Sequence, residues 1–178
     1  IAATMQNDGK TTVSLGLIFN FKERFKNIGF IKPIGQRYLE EDGQKVDEDS
    51  VLIEDVCGIK CGIKDMSPIA VEKGFTEKYI AQPDKENIDR QILDSFKRIS
   101  EGKDLVVIEG TGHAGVGSVF DHSNAVVAKM LGAKVILVSS GGIGRPIDEI
   151  MLNKALFEKE GVALAAVIIN KVTPDKFT

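Results

Sequence analysis

The chain lacks an apolar run of membrane-spanning length and lacks a signal-peptide pattern, so neither a transmembrane helix nor an export signal is predicted from it. It has no surplus of basic residues. Its 23 Lys and Arg stand against 26 Asp and Glu, a formal net charge of -3, which argues against a nucleic-acid-binding surface. It has only two cysteines, Cys57 and Cys61, and only two histidines, His113 and His122, far along the chain. A zinc site wants four ligands, so the cysteines read as free thiols, and the missing disulfide framework points to the cytoplasm. A start methionine is also missing, and Thr173-Pro174-Asp175-Lys176 reads as a helix that stops as soon as it starts. Residues 1–178 are therefore expected to be a single domain of a longer chain, and a composition of 43% hydrophobic and 28% charged residues suits one sizeable core.

What the chain does have is concentrated at its beginning. Small residues, Ile1-Ala-Ala, lead into a polar turn that ends in Gly9-Lys10-Thr11-Thr12, and an apolar run at helical spacing (Val13, Leu15, Leu17, Ile18) starts directly behind it. A polyphosphate needs several N–H donors converging on its oxygens, and a loop entering a helix N-terminus supplies them from the backbone. Asn7, Asp8, Gly9, Lys10, Thr11 and Thr12 are the nucleotide-binding candidates in this loop. Gly9 lets the backbone approach, Lys10 neutralises the β- and γ-phosphates, and the Thr11 hydroxyl ligates the Mg²⁺ that accompanies them. The general pattern G-x-x-x-x-G-K-[ST] is not fully met, because Thr4 stands at its first position.

Further along, a helix is expected over 11–24, a short buried strand over Ile28 to Pro33 with Lys32 at its carboxyl end, and a polar, glycine-broken segment over 35–76. That segment carries the acidic runs Glu40-Glu41-Asp42 and Asp47-Glu48-Asp49, the second opening a small helix that would carry Val51, Leu52 and Val56. Helical periodicity returns over 88–100. An apolar strand then ends in Glu109-Gly110-Thr111-Gly112, and after it come a helix over 123–131, a strand over 134–139, a helix over 147–160 and a strand over 163–169 ending in Asn170. Apolar strands alternating with amphipathic helices predict a doubly wound, mostly parallel α/β sheet of the P-loop type. In such sheets ligands bind beyond the carboxyl ends of the strands, where Lys32, Glu109, Ser139-Ser140 and Asn170 fall. Glu109 fits the carboxylate that holds Mg²⁺ beside the loop hydroxyl, and Lys32 fits a cation that stabilises a transferring phosphoryl group, so Lys10 and Lys32 are the catalytic candidates.

With these residues assembled, the chain resembles dethiobiotin synthetase, and the related ATP-binding domains of cobyrinic acid a,c-diamide synthase and of the amino-terminal part of some phosphate acetyltransferases. The loop looks like that family's glycine-x5-G-K-T variant, with Ala3 at the first glycine position. Lys32-Pro33 matches the lysine-proline after the second strand, Ser67-Pro68 a substrate-side turn, and Glu109-Gly110-Thr111-Gly112 the Glu-Gly-Ala-Gly after the fourth strand, with Gly110 on the nucleotide. The resemblance implies ATP and Mg²⁺ as cofactors, a metal set of Thr11, Asp49 and Glu109, and Asn170 against adenine. It also implies a small-molecule acceptor with a carboxylate-type group, a carbon–nitrogen ligase reaction, and a homodimer. Adenine is favoured over guanine for a second reason: Asn170-Lys171 is not followed by the Asp of the guanine-reading N-K-x-D pattern, since Thr173 stands there.

The departures fall on the acceptor side. Met5 and Asn7 replace acidic residues of the family loop, Asp8 stands at a commonly apolar position, Gly35-Gln36-Arg37 replaces small polar contacts, and His113 follows the glycine-rich turn where an aromatic residue is usual. Gln36, Arg37, Ser67 and His113 are the candidates for orienting an acidic acceptor. The rewritten acceptor half leaves a second function open, a non-catalytic nucleotide-sensing module of a larger regulatory or acetyltransferase chain. A partitioning-type ATPase is disfavoured, because no signature lysine precedes Lys10 in the loop.

Overall fold

The computed structural model describes residues 1–41 and 43–174; Asp42 of the first acidic run and residues 175–178, where the last expected helix falls, lie outside the described residues. The chain divides into two compact units, Ile1–Lys10 with Gly110–Thr178, and Thr11–Glu109. Among the described residues no helix is long and apolar enough to cross a membrane.

The first unit opens with β1 (Ala2–Ala3) and the loop that leads to Lys10, the first residue of α1 (Lys10–Phe21). Within the second unit follow β2 (Ile28–Ile31), β3 (Ile34–Gly35), β4 (Tyr38–Glu41), β5 (Gln44–Asp47), α2 (Glu48–Cys57), α3 (Ile63–Met66) and β6 (Ile69–Ala70). α4 (Phe75–Ala81), α5 (Lys85–Ser100) and β7 (Leu105–Ile108) complete it. β2 and β7 pair in parallel, Ile28 with Leu105 through Ile31 with Ile108, and every residue of β2 is buried, as expected for a parallel strand covered on both faces. α5 is the most clearly amphipathic helix. Asp84 caps its start by accepting from the Asn87 N–H, and Ile88, Ile92, Ser95 and Ile99 form its buried stripe.

Two parts of this unit differ from the sequence expectation. The polar segment contains an antiparallel pair, β4 with β5 from Tyr38–Asp47 to Glu41–Gln44, and a two-residue parallel pair of β3 with β6. α2 also buries a different face. Ser50, Ile53 and Cys57 point inward, whereas Leu52 and Val56 are nearly half exposed. Asp47 caps the helix, its carboxylate accepting from the Asp49 N–H at 3.0 Å. The far end of α2 is closed by the Lys22 ammonium, which donates to the Cys57 carbonyl.

The first unit resumes with a 3-10 turn over Ser118–Phe120, then α6 (Asn124–Met130), β8 (Val135–Ser140), α7 (Arg145–Lys159) and β9 (Leu164–Asn170). β1, β8 and β9 form one parallel sheet in that order. Its core joins Ala2, Ala114, Ala125, Ala128, Val135, Leu137, Phe157 and Val162. Phe157 and Leu137 are wholly inaccessible, and burying side chains of this size contributes about 1.5–3 kcal/mol each. The Ser123 hydroxyl caps α6 through the Val126 N–H, and Pro146 sits in the first turn of α7, where its missing N–H costs nothing.

Candidate functional site

In the first unit the loop is held in shape from within. The Asp8 carboxylate, 6% exposed, accepts from the Thr4 hydroxyl at 2.7 Å and from the Met5 N–H at 2.8 Å, so this side chain points into the loop. The Thr4 hydroxyl also lies 3.2 Å from the Ser139 hydroxyl at the end of β8, and the Thr4 N–H donates to the Val138 carbonyl. Asn170, the last residue of β9, and Lys171 just after it reach back to the loop. Asn170 Nδ2 donates to the Asp8 carbonyl at 2.8 Å and Lys171 Nζ to the Asn7 carbonyl at 2.5 Å. Asn7 is itself left-handed, with φ of 70°. Gly9, with φ of +94°, passes so close to Asn170 that a Cβ there would collide with its amide nitrogen. Lys10 follows at the first position of α1, and Thr12 is exposed on that helix.

Gly110 begins the glycine-rich turn, its N–H donating to the Ile1 carbonyl at 2.9 Å. Two asparagines that sequence patterns do not mark hold this region. Asn124 accepts from the Thr111 N–H and donates to the Thr111 and His113 carbonyls, while Asn153 bridges the Thr4 carbonyl and the Ala114 N–H. His113 is exposed, its Nδ1 accepting from the Gly115 N–H.

In the second unit the structure brings together Thr11, Lys32, Asp49 and Glu109. Glu109, at the end of β7 and wholly buried, accepts from the Thr11 hydroxyl at 2.9 Å and from the Ser14 hydroxyl at 2.5 Å. Lys32, just beyond β2, is 6% exposed; its ammonium lies 2.8 Å from Asp47 Oδ1 and in direct contact with Asp49 Oδ2. Ser14 and Asp47 were not among the sequence candidates. Ser14 occupies a helical position three residues after Thr11, and Asp47 stood out only as one of an acidic run. Of the acceptor candidates, Ser67 is buried, its hydroxyl accepting from the Asp47 N–H at 2.9 Å, and Arg37 makes an exposed ion pair with Glu48 at 3.3 Å.

Electrostatically this cluster is short of positive charge. Burial pushes the Glu109 carboxyl above its ordinary range, with Asp49 adding to the shift, against the pull of Lys32, Ser14 and Thr11. Burial does the same to Asp47, against the attraction of Lys32. Burial would lower the Lys32 pKa, but Asp47, Asp49 and Glu109 outweigh it and raise it. Three carboxylates around one ammonium leave two negative charges in excess when all are ionised, and Asp47 Oδ2 is buried without a hydrogen-bond partner. No group of three or more His, Cys, Asp or Glu arranged to hold a metal occurs among the described residues. The hard oxygens of Thr11, Asp49 and Glu109 nevertheless suit Mg²⁺, which is commonly held by one or two carboxylates together with substrate phosphates and water.

The Asp47 carboxylate depends on a glycine opposite it. A Cβ on Gly35 would lie 2.5 Å from Asp47 Oδ2 and 2.7 Å from its Cβ. Gly35→Ala is therefore expected to cost about 1–3 kcal/mol as an overpacking substitution, read as a lowered melting temperature. An unchanged melting temperature would show that Asp47 is not packed as described.

Comparison with known proteins gives a consistent picture. A family model described as an AAA domain matches residues 1–177. The ATP-dependent dethiobiotin synthetase BioD of Clostridium kluyveri is 27% identical over 99% of this chain and 75% of its own length, and that of Methanococcus vannielii is 27% identical over 97% and 78%. The phosphate acetyltransferase of Pseudomonas putida is 28% identical over 99% of this chain, which spans 25% of that protein. Among solved structures, the kinase domain of the Escherichia coli tyrosine kinase ETK superposes with a TM-score of 0.63 at 21% identity, covering 100% of this chain and 68% of that one. That likeness speaks for the fold, and with the parallel strands and the loop it bears out the doubly wound, mostly parallel α/β architecture of P-loop type.

Proposed function

We propose, because the chain belongs to the AAA domain family and is a P-loop ATP-binding domain of the dethiobiotin-synthetase type, that it transfers the γ-phosphoryl group of ATP to a carboxylate-type acceptor. The activated acyl group would then be captured by an amine, forming an amide or a ring. The observation that carries this reading is the grouping of buried Lys32 and Glu109 with Thr11 and Asp49. Lys10 neutralises the β- and γ-phosphates, and the loop N–H groups at the start of α1 bind their oxygens. Thr11, Asp49 and Glu109 would hold Mg²⁺, which would supply neutralisation of phosphate charge. Lys32, nearly excluded from water, stabilises the charge that develops on that group. Asn170 selects adenine. With its Nδ2 donating to the Asp8 carbonyl, its Oδ1 is left to accept from the adenine amine, where guanine presents a carbonyl. A homodimer, a cytoplasmic location and the absence of a nucleic-acid partner belong to the same proposal.

A second reading is favoured by the replacements at Met5 and Asn7 and by the match to one quarter of a phosphate acetyltransferase. In it the domain senses nucleotide without turnover. Phosphate release from MgATP, measured with a panel of amino-carboxylates with and without bicarbonate, separates the two. An acceptor that raises release by about tenfold or more supports phosphoryl transfer. Tight ATP binding with no release under any acceptor overturns it in favour of the sensor.

A further inference from the structure

Lys32 has two carboxylate partners, and they are not equivalent. Asp47 is wholly inaccessible and fixed on every side. Its N–H donates to Ser67 Oγ, its Oδ1 accepts from the Asp49 N–H, and its Oδ2 is packed against Gly35. Asp49 lies in the first turn of α2 with its side chain 23% exposed. Asp47 therefore cannot touch a nucleotide or an acceptor, whereas Asp49 can turn away from Lys32. A cap alone does not require a carboxylate at position 47, since asparagine caps helices equally well. The Lys32 backbone is also pinned, its N–H donating to the Met66 carbonyl at 2.8 Å, so the direction of the ammonium depends on its carboxylate partners.

We propose that Asp47 is a positioning residue, the permanent counter-ion that keeps the Lys32 ammonium in place when Asp49 is drawn to the metal. This rests on the reading that Asp49 helps to hold Mg²⁺ and Lys32 meets the phosphoryl group. Asp49 is the exchangeable partner and Asp47 the fixed one. Without Asp47, metal binding leaves a buried lysine with no fixed partner and free to swing from its site.

The test uses Asp47→Asn, Asp49→Asn and Lys32→Ala, with Asp47→Asn also combined with Lys32→Ala. The readouts are melting temperature, the ¹⁵Nζ resonance of the Lys32 ammonium by NMR with and without saturating Mg²⁺, and MgATP-dependent phosphate release. In the wild type the Lys32 resonance is expected to persist when Mg²⁺ is added, and it persists as well in Asp49→Asn. In Asp47→Asn, melting close to wild type, the resonance is expected to broaden away on Mg²⁺ addition, while release falls about tenfold with KM for ATP within about threefold. Asp47→Asn is expected to add no loss to Lys32→Ala. A Lys32 resonance that survives Mg²⁺ in Asp47→Asn, or that disappears in Asp49→Asn, overturns the assignment, as do losses that multiply in the double variant. If the wild type releases no phosphate, phosphoryl transfer fails as a reading, and the resonance still decides the role of Asp47.

Discussion

Lys10→Ala is expected to remove at least half of the stabilisation of the protein by MgATP. A ligand at a hundred times its dissociation constant adds about 2.7 kcal/mol to stability. For a chain of this size that is a rise of roughly 5–10 °C in melting temperature. The variant is expected to rise by at most about half as much under the same conditions, because hydrogen bonds to a charged group contribute about 1.5–3 kcal/mol, a factor of roughly 10–150 in affinity. Without ligand it is expected to melt near the wild type, since Lys10 is only half-buried at the first position of α1. A Lys10→Ala protein that MgATP still stabilises fully would place the phosphates elsewhere.

Glu109→Gln is expected to separate stability from activity. The folded-state pKa values of Glu109 and Asp47 are raised by burial, so the folded protein holds these protons more tightly than the unfolded chain does. For an acid shifted upward the ionised form is penalised on folding. Stability is then greatest below the ordinary carboxylate value and declines as pH rises from there to the raised folded value. In the absence of metal, Glu109→Gln is expected to melt higher than the wild type at pH 7 to 8 and to match it at pH below about 4, where the carboxylate is protonated anyway. Mg²⁺ is expected to raise the wild-type melting temperature near neutral pH and to leave the variant unchanged. Phosphate release is expected to fall by about 100-fold or more, the scale on which a preorganised charge-stabilising group acts. A variant that melts below the wild type at neutral pH would show that the hydrogen bonds from Thr11 and Ser14 outweigh the cost of burial.

The parallel strands β2, β7, β8 and β9 were legible because each is an apolar run that leads into a polar residue, as Leu105–Ile108 ends before Glu109. The loop was legible for the same kind of reason, a fixed spacing that chemistry requires. The pair of β4 with β5 was not, because its residues are largely polar on both faces and no hydrophobic alternation marks it. For α2, apolar Val51, Leu52 and Val56 drew attention away from the stripe of Ser50, Ile53 and Cys57 that the structure buries, and tertiary contact overrode composition. Asp47 was hidden by its neighbours. One carboxylate in an acidic run looks like another, and only burial against Gly35 and Lys32 distinguishes it from Glu48. Asn124 and Asn153 were equally silent, since their work is done on backbone groups of segments distant in sequence.

Calorimetric titration of the wild-type protein with ATP, ADP and GTP, each with and without Mg²⁺, tests the central claim most directly. The expected result is ATP binding near micromolar, dependent on Mg²⁺, with GTP weaker by about tenfold, the worth of one discriminating hydrogen bond near 1.4 kcal/mol. A folded protein that binds no ATP in the presence of Mg²⁺, or that takes GTP as readily, would contradict the assignment of the loop and Asn170 to ATP binding.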